Sequence, residues 1–253
     1  MQKLSVVIIC KKEAEVIGKT LQSFNGLTDD IIVYDNGSDD GTKEIVKLFN
    51  ARLCEGSWEG FGKTKNKANA LAKYDWILSL DGDEAIDEEL KENLLKANLS
   101  EEKAIYEIRF KNFFGKKWLR FGEWGNDKHI RLFNRKVVSW DTAAVHESLI
   151  FPKSVKKLLI SGFVLHQTTA NAQEYERKMK NYAVLSAENY FHLGKKAGIL
   201  KIYSSTIFSF IKNYFFKLGF LDGSVGFACA RINACYTFIK YKRLKELNKE
   251  ENR

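Results

Sequence analysis

Apolar and polar positions alternate along the first hundred residues in blocks whose period switches between that of a strand and that of a helix. Leu4-Ser-Val-Val-Ile-Ile-Cys10 is a β-branched run and predicts a first strand. Over residues 13–24 the period changes, and Val16, Ile17, Thr20, Leu21 and Phe24 fall on one helical face. Asp30-Ile-Ile-Val-Tyr34 predicts a second strand, ending in Asp35-Asn-Gly-Ser-Asp-Asp-Gly-Thr42. Ser38 or Asp39 is placed to cap the next helix, whose apolar side holds Ile45, Val46, Leu48 and Phe49. A short strand at 51–54 and a helix at 63–72 lead to Trp76-Ile-Leu-Ser-Leu80, where four of five residues are large and apolar. This order predicts an α/β fold: a mainly parallel, Rossmann-like sheet with helices on both faces.

Two of these strands end in acid. The fourth stops in Asp81-Gly-Asp83-Glu84, and burying that many carboxylates without partners would cost several kcal/mol each. The sequence therefore predicts them at the strand's carboxyl edge, where open α/β sheets bind ligands. Two readings fit: a hard divalent metal between the carboxylates, or an acidic turn before a helix capped by Asp87. Asp35, ending the second strand, suits a ribose hydroxyl or the edge of a base. The first strand runs into Lys11-Lys-Glu-Ala-Glu15 with no glycine-rich turn, which excludes a dinucleotide dehydrogenase. The absence of a G-x-x-x-x-G-K-[ST] loop excludes a P-loop NTPase. A nucleotide held by its ribose and base at one strand end, and through a metal at another, remains.

Composition adjusts this picture little. The chain has 253 residues, 45% hydrophobic and 29% charged, enough for one large domain or a domain with a helical appendage. Cys10, Cys54, Cys229 and Cys235 are scattered, which predicts neither a disulfide framework nor a zinc site and suits a reducing cytoplasm. Met1 to Cys10 lacks the pattern of a secretory leader, and no stretch is long and apolar enough to span a bilayer. The formal net charge of +9, concentrated after Lys103, suits a phosphorylated substrate, an anionic membrane or nucleic acid. The acidic strand ends argue against nucleic acid, because they repel phosphates unless a metal is bound.

The blocks Ser5-Val-Val-Ile-Ile9, Ile32-Val-Tyr-Asp-Asn-Gly-Ser-Asp-Asp-Gly-Thr42 and Trp76-Ile-Leu-Ser-Leu-Asp-Gly-Asp-Glu84 resemble those of a family 2 glycosyltransferase. Phe113-Phe-Gly-Lys-Lys-Trp118, His129-Ile-Arg-Leu-Phe133, Val145-His-Glu147 and Gly219-Phe-Leu-Asp-Gly223 extend the resemblance to the lipopolysaccharide-core, WaaE-like subgroup. One departure is Lys11-Lys12-Glu13, where the family usually has Lys-Asn-Glu. The resemblance implies a GT-A fold and inverting, metal-dependent transfer from a nucleotide-sugar donor (a UDP- or ADP-sugar) to a lipid-linked oligosaccharide. It implies that Glu13 and Asp35 serve the base and ribose, Asp81 the ribose, and Asp83 a Mn or Mg ion bridging the diphosphate. The alternative for Glu13 is a first-turn helix acid. Glu84 reads either as a group supporting the metal site or as an ordinary turn acid, with the turn acid preferred.

An inverting transfer also needs a base to take the acceptor's proton. Glu147 fills that role by its position in the family, against the alternative of a surface glutamate; Asp127 is the second candidate, placed to position the acceptor or pair with Arg131. Arg131 is read as a contact to the diphosphate or to Asp127. His146 and His166 are candidate metal ligands, the alternative being half-buried, hydrogen-bonded histidines at strand ends. Trp118, Phe121 and Trp124 lie among glycines and read either as a mobile sugar-stacking segment or as a flap packed on the core.

The character changes near residue 169, so the expected division is a transferase domain over 1–168 and a helical extension over 169–253. Tyr175, Met179, Tyr182 and Leu185 repeat at helical spacing, as do Phe208, Ile211, Phe215 and Phe216, with lysines between them. That pattern suits either helices covering the sheet or a segment resting on an anionic membrane surface. Asp222 reads as part of a tight turn and as a weaker acceptor contact. The sequence reading is thus a cytoplasmic enzyme, peripheral on the inner face of the inner membrane, acting in lipopolysaccharide core synthesis. Another surface glycan, capsule or O-antigen, is the alternative product, and a non-catalytic basic binding module the alternative class.

Overall fold

The computed structural model describes residues 1–141 and 148–251. Its chain divides into two compact units, residues 1–111 with 127–166, and residues 112–126 with 167–253. The elements of the first unit begin with β1 (Ser5–Cys10), α1 (Ile17–Gln22), β2 (Ile31–Asp35), α2 (Thr42–Val46) and β3 (Arg52–Glu55). They continue with α3 (Phe61–Ala70), β4 (Trp76–Asp81), β5 (Glu84–Ile86), α4 (Glu88–Lys96) and β6 (Ala104–Phe114), whose end from Asn112 onward belongs to the second unit. After β7 (Lys117–Leu119), which belongs to the second unit, come β8 (Lys128–Asn134), β9 (Ser139–Trp140), β10 (Leu149–Ile150) and β11 (Lys156–Thr169). The last three helices are α5 (Ala172–His192), α6 (Ile199–Ile211) and α7 (Gly223–Glu251).

Strand order in the main sheet is β3-β2-β1-β4-β8-β6-β11-β5. The first four are parallel, as the alternating pattern of the N-terminal half requires. From β8 onward the recorded pairings are antiparallel, so the α/β class stands and the parallel part is the half that carries the acidic ends. β1 is buried at every position, with Val6, Ile8 and Cys10 on one face of the sheet and Val7 and Ile9 on the other. Apolar layers on both sides explain why this strand reads as a continuous run instead of an alternation.

Register decides the position of the acids. Cys10 is paired with Asp35 and Ile9 with Asp81, so both acidic ends flank the end of β1. β5 then turns back and pairs with β11, setting His166 opposite Glu84. Asp87 caps α4 by accepting the Leu90 N–H at 2.9 Å, as its position before Glu88 predicts. Gly162 has φ +99, and a methyl group there would overlap the Leu90 backbone, which lets β11 run against the start of α4.

In the second unit, Leu119, Tyr175, Cys229 and Ile232 form an apolar cluster joined by Trp124 and Phe114. Trp124 sits 4.8 Å from the Tyr175 ring and packs in this cluster. Asp222 is buried, and its carboxylate accepts the backbone N–H groups of Phe121 at 2.9 Å and Arg120 at 3.1 Å. Its side chain therefore anchors the 120–121 turn.

Candidate active site

The second strand end is assembled by its own backbone. Asp35 is fully buried, and its carboxylate accepts the N–H groups of Gly37 at 3.0 Å and Ser38 at 2.9 Å. Cys10 donates its thiol to the other oxygen at 3.7 Å. Burial, reinforced by Asp35, pushes the Cys10 thiol up, so it stays protonated and serves as a donor. The loop after β1 is stitched to this turn: the Lys12 N–H donates to Ser38 Oγ at 2.8 Å, the Glu13 N–H to Thr42 Oγ1 at 2.9 Å, and the Ala14 N–H to Asp40 Oδ2 at 3.2 Å. Two loops from adjacent strand ends are thereby held as one rim.

Lys12 lies in this rim at φ +60, the left-handed region. Asparagine tolerates that region better than lysine does, which gives a physical reason for the family's usual Lys-Asn-Glu. Lys12→Asn is accordingly expected to raise the melting temperature by roughly 1–2 °C, read by differential scanning calorimetry. A fall would show that the exposed Lys12–Asp39 pair outweighs the backbone strain.

The fourth strand end holds the densest charge. Asp81 Oδ1 lies 3.3 Å from Lys65 Nζ, and Asp81 Oδ2 lies 3.4 Å from Arg131 Nη2. Arg131 also holds Glu84 at 2.5 Å, and Glu84 Oε2 accepts the Asp81 N–H at 3.0 Å. Burial would raise the Asp81 carboxyl, but Lys65, Arg131 and His166 outweigh it and hold it down at about 2. Burial pushes the Glu84 carboxyl up, with Arg131 pulling against it.

Asp83, two residues on, has a different environment. Its Oδ2 is 3.4 Å from His166 Nε2. One hard carboxylate and one imidazole form a donor pair that suits a divalent cation such as Mn or Mg. Among the described residues no cluster of three metal-ligating side chains occurs. Asp83 and His166 are thus two donors of a type that could hold such an ion.

Several expectations change at this point. Arg131 pairs with Glu84 and Asp81, and Asp127 pairs with His129 at 2.9 Å. Glu84 is no ordinary turn acid: it is buried and ties the Asp81 backbone to Arg131. Gly82 makes room for β1: a methyl group there would come within 2.9 Å of both Cys10 Cβ and Glu13 Cγ. Glu13 thus packs beside the acidic motif. His146 and Glu147 lie outside the described residues. On either side of them Trp140 pairs with Leu149, and Asp141 N–H donates to the Ser148 carbonyl at 2.9 Å.

Lys65 is the residue that sequence reasoning missed. Its side chain is 3% exposed and faces the Trp140 ring at 4.7 Å. The available signal was its place on one helical face with Phe61, Ala68 and Ala72, a lysine on an otherwise apolar stripe.

The pattern of glycosyl transferase family 2 matches residues 5–159, more than half of the chain. The chain belongs to that family. It is therefore a transferase enzyme, in keeping with the α/β class of its sheet. It is 28% identical to an uncharacterized glycosyltransferase of Rickettsia typhi over 98% of this chain and 88% of that protein. It is 24% identical to the lipopolysaccharide core biosynthesis glycosyltransferase LpsC of Rhizobium meliloti, over 93% of this chain and 89% of that one. Among solved structures, S. aureus TarS 1–349 in complex with UDP aligns with a TM-score of 0.49 and 14% identity, covering 99% of this chain and 92% of that chain.

Proposed function

We propose that this family 2 enzyme is an inverting, metal-dependent glycosyltransferase that moves a sugar from a UDP- or ADP-sugar to a lipid-linked saccharide. The observation that carries the proposal is the contrast between two neighbouring carboxylates. Asp81 is engaged by Lys65 and Arg131, whereas Asp83 faces an imidazole. In this reading Asp83 and His166 hold the ion, with His146 as the alternative ligand. A bound divalent cation supplies Lewis-acid neutralisation of charge developing on the departing nucleoside diphosphate.

The remaining roles combine these contacts with the family resemblance. Lys65 and Arg131 fix the Asp81 carboxylate in one orientation, ready to accept from a ribose hydroxyl. The Asp35 turn and Glu13 shape the rim for the base and ribose. Glu147 takes the acceptor proton during in-line attack, a role assigned from its position in the family pattern. Asp127, oriented by His129, positions the acceptor. Lipopolysaccharide core synthesis is the favoured context because LpsC carries that description and aligns along nearly the whole chain.

The test is thermal. UDP or ADP is expected to raise the melting temperature with manganese or magnesium present and to lose that effect in EDTA. Glu147→Gln is expected to retain the shift while turnover of the donor falls by about 10²-fold or more. A nucleotide shift of equal size in EDTA would remove the metal from the proposal. No shift with any nucleotide would overturn the donor site.

A further inference from the structure

The unusual surface of the second unit lies on α6. A helix in a globular protein turns its apolar stripe inward. Here Ile202 is the buried residue of α6, and Asn213 that of the single π turn, Lys212–Phe216, that continues it. Ile199, Leu200, Tyr203, Ile207, Phe208, Ile211, Phe215 and Phe216 are all exposed, Leu200 at 83% and Phe216 at 72%. Their spacing of three and four residues is that of one helical face, so the stripe is regular and points outward.

The patch continues beyond the helix. Leu218, Phe220 and Leu221 are exposed, as is Phe227 on α7. Tyr214 joins these parts, with its ring 5.1 Å from Phe215, 6.2 Å from Phe220 and 5.7 Å from Phe227. Soluble proteins rarely leave so much contiguous apolar surface without a partner.

Charge identifies the partner. From Asn189 to Leu221 the chain carries Lys195, Lys196, Lys201, Lys212 and Lys217, and neither aspartate nor glutamate. Outward aromatics and aliphatics interleaved with lysines match the acyl boundary and phosphate layer of an anionic bilayer. No helix among the described residues is long and apolar enough to cross a membrane.

We infer that α6, its π turn and the 218–221 turn form a monotopic membrane-docking face that lies in the interfacial plane of a bilayer containing anionic phospholipid. The apolar stripe enters the acyl boundary, and the lysines sit at phosphate level. This deepens the proposal of a lipid-linked acceptor, because an enzyme on the bilayer meets such an acceptor at its own surface. The docking face itself does not depend on the chemistry at Asp83.

Co-sedimentation of the full chain with phosphatidylcholine vesicles, with and without phosphatidylglycerol, tests it. Binding is expected with phosphatidylglycerol and should weaken as salt is raised. The double variant Phe208→Glu/Phe216→Glu is expected to lower the partition coefficient by at least about tenfold, with an unchanged melting temperature. Lys201→Gln and Lys212→Gln should each lower it by about fivefold, and only on the anionic vesicles. Binding that survives the double variant, or absence of binding to anionic vesicles, overturns the inference. So does a dimer in sedimentation velocity that the double variant converts to monomer, because a second copy would then cover the ridge. Donor hydrolysis measured without vesicles separates the two readings. Hydrolysis without vesicle binding defeats only the docking face, and vesicle binding without hydrolysis defeats only the transferase site.

Discussion

Asp83→Ala is expected to lower metal-dependent donor turnover by at least ~10³-fold, because the variant removes the only carboxylate of the proposed metal pair. The side chain contacts His166 and lies outside the Lys65–Asp81–Arg131–Glu84 network, so the fold should be retained. In the proposed transfer charge accumulates on a departing diphosphate, and a cation held by Asp83 and His166 would stabilise that charge. The check is hydrolysis of a nucleotide-sugar panel with manganese, magnesium or EDTA, alongside the nucleotide-induced melting shift. Loss of both metal-dependent signals, with the apo melting temperature unchanged, is the expected pair of results. Wild-type turnover in Asp83→Ala would sink the assignment. His166→Ala should show a smaller fall in the same direction, since Asp83 would still hold the ion with phosphate and water.

Arg131→Met is expected to cost about 3–5 kcal/mol of stability, because it leaves Glu84 buried without its cation. Glu84 accepts at 2.5 Å from Arg131 and also takes the Asp81 N–H, so the loss reaches the backbone of the acidic motif. Urea unfolding followed by tryptophan fluorescence measures the change. Adding Glu84→Gln should restore more than half of it, since a neutral amide tolerates burial and still accepts the Asp81 N–H through its oxygen. A loss below about 1 kcal/mol for Arg131→Met would show that the pair behaves as a surface ion pair. Failure of the second substitution to rescue would place the cost in the lost contact of the Arg131 guanidinium with the face of the Phe110 ring.

These two residues differ in how far the sequence discloses them. Asp83 is legible: a buried apolar strand that stops in acid must put the acid at the sheet's edge. Arg131 is visible only as a charge within an apolar run. In the pairing of β6 with β8, Tyr106 meets Leu132 and Glu107 meets Ile130, so Arg131 is the extra residue of a β-bulge. The bulge turns its guanidinium toward Glu84, and nothing in the run His129-Ile-Arg-Leu-Phe133 announces it. Bulges arise from cross-strand register between segments distant in the chain.

Local chemistry determined much of this protein. The alternating strand and helix periods, the acidic ends of β2 and β4, the Asp87 cap and the amphipathic period of α6 all follow from near neighbours in sequence. The tertiary structure alone decided which side of each pattern meets solvent. Lys65 and Glu84 have the composition of surface residues and became a buried charge network, because strand register brought Asp81 and Arg131 to them. The α6 stripe has the pattern of a core face and was left largely outward, because α7, which meets it at Tyr203, leaves most of that stripe uncovered. Hydrophobic period specifies that a face exists; which partner covers it depends on contacts made far along the chain.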